Sequence, residues 1–455
     1  MVLSAATSMR CASHVMNIVL TLFNIPAEVP DWHTGRYWLM RIGYYKINRE
    51  KEKADDWVWI IDHSVQIGSE KCLVILGIRL KNLPKNRPLR YSDVEPIDLI
   101  PVKTSNGEIV YEQLEEATKK TGIPREIIAD HGPDLNAGIN KFINKHKETT
   151  CEIYDIKHKT ASILKRELEN NESWKKFLEH CTKTKAQVQQ TELAFSAPPN
   201  QRSKARYMNI DILVVWGNKI LNFLKSEKDN PSGKLSKKNI EEKLSWILKF
   251  HEKINEWGNM MAVVQIVESG VRNNGLSNKT LNQLENELNN LTLCDKAILI
   301  KNELLSFLEI ESSKAKSNEM LLGSSEIIES LFGKQKMLEK EQSKNGFTGL
   351  ILAIGAFVSV TTKDVIKQAM NIVKTKTVLE WTKNKIGETV QSCRKKLLVS
   401  STASLPSKNR RFDIRLNPTK VIKESNISTH LGNWGLNHLD DYKKEQKQNQ
   451  ISLGC

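Results

Sequence analysis

Paired cysteines are missing from this chain. Cys11, Cys72, Cys151, Cys181, Cys294, Cys393 and Cys455 are odd in number, scattered, and never fall in a Cys-x-x-Cys spacing. That excludes a zinc site built on paired thiolates and reads as reduced thiols in a cytosolic setting. A membrane span is missing too: the apolar stretch 349–360 (GLILAIGAFVSV) has twelve residues, where a spanning helix needs roughly 20. It reads instead as a core helix packing on a sheet. Arg10, His14 and Asn17 interrupt the N-terminal apolar region and no clear cleavage site follows, so no signal peptide is expected. Acidic charge is short: 53 Asp+Glu against 68 Lys+Arg leave +15 and a pI near 9.3, a balance that favours a polyanionic partner. At 39% hydrophobic content the chain is not a disordered one. Its 455 residues suggest about three domains of roughly 150 each.

What is present centres on residues 56–63, DWVWIIDH. The apolar run has the length and composition of a strand buried on both faces, and it ends in Asp62 and His63. Asp62 is therefore expected at a strand end, next to solvent. A second apolar run, 71–80 (KCLVILGIRL), follows a polar, glycine-containing connection short enough for an antiparallel hairpin. Residues 125–130 (REIIAD) repeat the pattern, an apolar segment running into Asp130 and then into the turn 131–134 (HGPD). Asp134 competes with Asp130 for the same role; Asp130 is favoured because it directly ends the strand. Far downstream, 324–336 (SSEIIESLFGKQK) opens with serine caps and first-turn glutamates, the start of a helix on which Glu329, Phe332 and Lys336 share one side. Two strand-end aspartates and a helical glutamate suit a two-metal phosphoryl-transfer site. Hard Mg²⁺ or Mn²⁺ ions prefer carboxylate oxygens, and two ions held by separate segments stabilise both attacking and leaving oxygens of an in-line displacement.

The order strand-Asp, hairpin, strand-Asp, long interruption, helix with Ile328-Glu329-x-x-Phe332-x-x-x-Lys336 resembles the DDE transposases of insertion sequences. The tyrosine and arginine that often precede the glutamate in that family fall here on Leu322 and Ser325. The resemblance implies an α/β fold, an RNase H-like mixed sheet, in which Asp62, Asp130 and Glu329 hold two Mg²⁺ (or Mn²⁺) ions and Lys336 contacts DNA. It also implies metal-dependent cleavage at transposon ends followed by strand transfer to target DNA, with the protein assembled as a homo-oligomer on double-stranded DNA. Asp155-Ile156-Lys157-His158 resembles the Cys/Asp-x-x-His signature that follows the second aspartate in transposase superfamilies with helical insertions, making Asp155 and His158 candidate accessory residues. Two alternatives stand beside this reading: a decayed or domesticated transposase that only binds DNA, and an RNase H-fold nuclease.

Around these motifs the chain divides into five parts. Residues 1–50 suggest part of a helix-turn-helix, abruptly begun, whose second helix carries Arg36 and Arg41 toward DNA. Residues 51–160 form the first part of the sheet core. Residues 161–322 show almost unbroken 3.6-residue apolar spacing and read as an all-helical insertion, with expected helices at 238–258 and 260–271 among others. Its tryptophans, Trp174, Trp216, Trp246 and Trp257, read as core; Arg202, Lys204 and Arg206 form a local anion-binding candidate. Residues 323–372 supply the closing helices. Residues 373–455 form a basic, partly disordered tail, with 16 Lys+Arg against 7 Asp+Glu from 374 onward, suited to nonspecific phosphate contacts. A cytoplasmic protein is expected, nucleoid-associated if bacterial, with no membrane partner.

Overall fold

The computed structural model describes residues 2–5, 7–64, 70–130, 132–201, 207, 210–229, 235–340, 348–388 and 396. The elements described below all lie within the unit 1–392. Arg202, Lys204, Arg206, the 65–69 connection and most of the basic tail lie outside the described residues.

Five strands make one mixed sheet: β1 (Trp57–Ser64), β2 (Lys71–Arg79), β3 (Glu95–Val102), β4 (Glu126–Ala129) and β5 (Cys151–Tyr154). Their order is β3-β2-β1-β4-β5. The β1–β2 and β2–β3 pairs are antiparallel, while β1–β4 and β4–β5 are parallel. This is an RNase H-like sheet, in which an antiparallel meander is extended by two crossover strands.

Alternation along β1 splits the core into two layers. Trp57, Trp59 and Ile61 pack with Val110, Leu114, Ile139 and Phe142 of α4 (Gly107–Thr121) and α5 (Pro133–Lys145), which cover one face. Val58 and Ile60 belong to the larger cluster on the other face, the pattern a two-sided strand must have. The helix α4 ends where Gly122 takes φ +88°, a left-handed conformation that costs glycine no Cβ clash.

The second face is closed by helices distant in sequence. The chain opens with a single turn, α1 (Val2–Ala5), then α2 (Met9–Leu22) and α3 (Trp32–Asn48). The helix α3 buries Leu39, Met40, Ile42, Gly43 and Ile47. Opposite it, the 349–360 stretch forms a short 3₁₀ turn and then α14 (Ala353–Phe357), a shorter helix than expected and packed mainly on α3, with β3 beside it. Gly43 permits the approach, since a Cβ there would overlap the Leu352 carbonyl. Lys46, fully buried, donates to the carbonyls of Val358 (2.7 Å) and Ser359 (3.0 Å) and to Thr361 Oγ1 (2.7 Å). Its ammonium thus satisfies carbonyls just past the end of α14, where helix polarity favours a cation.

The sequence suggests α3 as a groove-entering helix; the structure gives one of its faces, and Arg41, other partners. Its apolar face is needed by the core, and Arg41 donates through Nε and Nη2 to the carbonyls of Val373 and Met370 at the end of α15 (Lys363–Ile372). Arg36 is half-buried, and its Nε has no hydrogen-bond partner among the described residues. Replacing Arg41 with alanine is expected to lower stability by about 1–3 kcal/mol, because two carbonyls lose their donor, and to leave DNA affinity unchanged. Chemical denaturation beside a DNA-binding titration checks both halves.

Between β5 and the glutamate helix the described chain is helical. The helices are α6 (Ile156–Leu168), α7 (Glu172–Val188), α8 (Asp211–Asp229), α9 (Lys237–Leu244), α10 (His251–Asn274), α11 (Asn278–Asn289) and α12 (Asp295–Ser312). Trp174, Trp216, Trp246 and Trp257 cluster around Phe177 in its core. The helix boundaries differ from expectation here. Residues 238–258 do not make one helix: α9 stops at Leu244, a 3₁₀ stretch (Ser245–Phe250) follows, and α10 runs unbroken through Gly258. A Cβ at Gly258 would meet nothing closer than 3.8 Å, so the glycine is an ordinary interior position and not a stop. The chain then returns along the sheet through Leu321, bridged to Leu276, and enters α13 (Glu326–Lys340), with α16 (Thr375–Trp381) further on.

Candidate active site

Strand register decides where the acidic residues go. Ile60 of β1 lies beside Ile128 of β4, and Ile128 beside Ile153 of β5. Two residues further along these three parallel strands stand Asp62, Asp130 and Asp155. They share the parity of Ile60, Ile128 and Ile153, all members of the core cluster that also contains Ile328, Leu331 and Phe332 of α13. Neighbouring strands lie about 4.8 Å apart, so Asp62 and Asp130 are neighbours on the face over which α13 lies against β1. Glu329 enters from α13.

Asp62 is not at the strand end. The strand continues through His63 and Ser64, and Asp62 pairs with Val74 of β2. It is enclosed on most sides although part of its surface reaches solvent. Burial, then the neighbouring charge of Asp130, with a smaller contribution from Glu329, pushes its carboxyl up to about 8. Three carboxylates crowded on one face disfavour ionisation of the most enclosed.

His158, in the first turn of α6, sits against Glu329, Nε2 to Oε1 3.2 Å. Burial pushes Glu329 up, but its hydrogen bond with His158 and the charges of Lys157 and His158 outweigh that, leaving its carboxyl below the ordinary range. The imidazole shifts the other way: burial lowers it, and Glu329 and Asp155 together more than compensate. Asp155 is different. It caps α6 by accepting from the His158 N–H (2.8 Å), and its other oxygen accepts from Ser325 N (2.5 Å) and Oγ (2.9 Å). The Asp155 carboxylate therefore joins the starts of α6 and α13, which places His158 beside Glu329. If Glu329 is a metal ligand as the sequence motif implies, replacing His158 with alanine is expected to reduce strand cleavage about 10- to 100-fold, the usual cost of removing a group that orients a ligand, with DNA binding retained. Single-turnover cleavage and a binding titration separate the two.

Asp134 lies on the opposite face. It accepts from Lys71 Nζ at 2.7 Å, and His63 Nδ1 lies 3.6 Å away. Burial raises its carboxyl, but hydrogen bonds from Lys71 and Ser105 dominate and bring it to about 2. Odd-numbered His63 points to the α5 layer while even-numbered Asp62 points to α13, so Asp134 is held away from Glu329. Of the helix motif, Phe332 is buried, Lys336 is exposed two turns beyond Glu329, and Glu329 is half-buried. Phe332 anchors the helix and does not line the same surface as the other two.

Among the described residues no three His, Cys, Asp or Glu side chains are drawn together closely enough to hold a metal ion as they stand, Asp62, Asp130 and Glu329 included. The donor set nonetheless suits a hard divalent ion: three carboxylates, one of which burial, and then its acidic neighbours, disfavour ionising without added positive charge. Nor is any helix among the described residues long and apolar enough to cross a membrane.

No protein-family model and no curated protein matches the chain. Among solved structures it is similar to the Drosophila P element transposase strand transfer complex, at 14% identity over 81% of this chain and 91% of that chain, with a TM-score of 0.35. The fold is defined here by strand order and register, and not by that distant likeness.

Proposed function

We propose that the protein is a DNA transposase, cutting and joining phosphodiesters with Asp62, Asp130 and Glu329 as ligands for two divalent ions. The observation that carries this reading is the register. It sets Asp62 and Asp130 side by side on the face of the sheet that receives Glu329, although the three are far apart in sequence. The Glu329/Phe332/Lys336 spacing and the +15 charge support it.

The chemistry supplied by two divalent ions, when bound, is a water acidic enough to attack a phosphodiester and neutralisation of charge on the leaving 3′ oxygen. The chain's own residues do the rest. Asp62 and Asp130, fixed by a rigid sheet, set the geometry on which an in-line attack depends. His158 holds the Glu329 carboxylate by a charge-assisted hydrogen bond. Lys336, exposed on α13, reaches a backbone phosphate. The freed 3′-OH is the nucleophile for joining, so no covalent enzyme intermediate is required.

A binding-only reading draws on the absence, among the described residues, of a preassembled three-donor cluster. The test is incubation of labelled DNA carrying the sequences that flank the gene with Mg²⁺ or Mn²⁺. Metal-dependent nicks and joined products support the transposase, nicks alone a nuclease, and binding without nicks the binding-only protein.

A further inference from the structure

The connection between β2 and β3, residues 80–94, carries Lys81, Lys85, Arg87 and Arg90 against the single carboxylate Asp93. It is anchored at both ends by buried Leu83 and Val94 and closed on itself. Arg87 grips Asp93 through two nitrogens (2.6 and 3.1 Å), and Asp93 accepts the Arg90 backbone N–H at 2.8 Å. Lys81 reaches toward Glu52 (3.4 Å). Lys85 and Arg90 are exposed, and neither is in an ion pair among the described residues.

This connection is pinned to the glutamate helix. Tyr91 Oη lies 2.7 Å from Ser330 Oγ, one residue past Glu329. The Lys334 ammonium stands over the Tyr91 ring at 5.1 Å, and the Tyr91 carbonyl accepts from Ser359 N at 2.7 Å. Between the connection and the helical region lies a cleft of about 230 Å³, lined by Pro88 and Leu89 on one side and by Arg272, Glu326, Ile327 and Ser330 on the other. Glu326 is shared between Arg272 (3.5 Å) and Lys157 (3.2 Å), so the one carboxylate lining the cleft is held by cations. Cations held on a rigid scaffold lose little entropy when they bind phosphates.

We infer that the 80–94 connection, with Arg272 across the cleft, is a DNA-backbone contact surface that delivers a strand to Glu329. The inference rests on the proposed reading of the active site and adds to it the surface that holds the substrate. Backbone phosphates are the fitting ligand because the exposed side chains of the connection, Lys85 and Arg90, are cations that can contact phosphate oxygens without base-edge readout.

The test is the salt dependence of duplex DNA binding by the full chain, comparing wild type, a Lys85→Ala/Arg90→Ala variant, and a Lys238→Ala/Lys376→Ala control that removes the same charge from exposed helix positions. Two lost phosphate contacts lower the slope of log affinity against log salt by roughly 2, so between about 50 and 200 mM salt the variant loses roughly tenfold less affinity than wild type. The control keeps the wild-type slope. An unchanged slope in the variant, an equal change in the control, or no DNA binding by wild type overturns the inference. Cleavage is scored on the same samples. A changed slope without any cleavage leaves the surface standing and removes the active-site reading, whereas cleavage with an unchanged slope does the reverse.

Discussion

On the proposed transposase reading, replacing Asp62 with asparagine is expected to abolish strand cleavage, by more than about a hundredfold, while DNA affinity is kept or slightly raised. The bound follows from the weaker case: an outer partner such as His158 costs about 10- to 100-fold when removed, and Asp62 is placed as a ligand itself. Asparagine keeps the shape and one oxygen but withdraws the charge that a divalent ion needs. Affinity holds because the substitution adds no negative charge close to where a phosphate would lie. Glu329→Gln behaves in the same way, and its effect is separable from that of His158→Ala because glutamine still accepts a hydrogen bond from the imidazole. Single-turnover cleavage in Mg²⁺ and Mn²⁺, with binding measured on the same preparations, reads both. Cleavage retained in Asp62→Asn removes the assignment.

The second large effect is on stability. The Asp62 carboxyl titrates near 8 in the folded chain against an ordinary value of 3.8, so the folded state binds its proton more tightly than the unfolded one. The contribution is therefore fully present below about pH 4 and is lost as pH rises through about 8. Above that the buried charge costs on the order of several kcal/mol. Without divalent ions, Asp62→Asn is expected to melt at a higher temperature than wild type at pH 8.5 and at the same temperature near pH 4. Comparing the two proteins at each pH isolates this group from Glu268, which burial raises to about 7, and from Lys46, which burial lowers to about 8. Mg²⁺ or Mn²⁺ at about 100 times its dissociation constant stabilises wild type by roughly 2.7 kcal/mol and the variant far less. Equal melting of the two proteins at every pH and ion concentration sinks this account of Asp62.

Much of this was legible in the sequence, for identifiable reasons. Apolar runs of β-branched and aromatic residues ending in carboxylates marked β1 and β4, and the serine-glutamate start marked α13, because burial and capping are local demands. Strand-end position favours Asp130 over Asp134 in the sequence; in the structure even residues of β1 face α13, while His63, Lys71 and Asp134 meet on the other side. Parity is readable from one strand only after the register with its neighbours is known.

What escaped the sequence depended on distant partners. Arg41 looked like a DNA contact because basic and aromatic residues mix along α3. Its actual partners are carbonyls of Met370 and Val373, more than 300 residues away. Asp155 and His158 were flagged by a two-residue pattern that did not separate their roles; the contact with Ser325 makes one a brace and the other a neighbour of Glu329. The 80–94 connection gave no signal because it has no periodicity, and its meaning comes from Tyr91 meeting Ser330.

The most direct test of the central claim is Mn²⁺ binding, followed by electron paramagnetic resonance with DNA present, in wild type and in Asp62→Asn, Asp130→Asn and Glu329→Gln. The account predicts two ions per chain for wild type and loss of bound Mn²⁺ in each variant, with Asp134→Asn keeping both. Equal Mn²⁺ binding in wild type and the three carboxylate variants, or none in any of them, contradicts it.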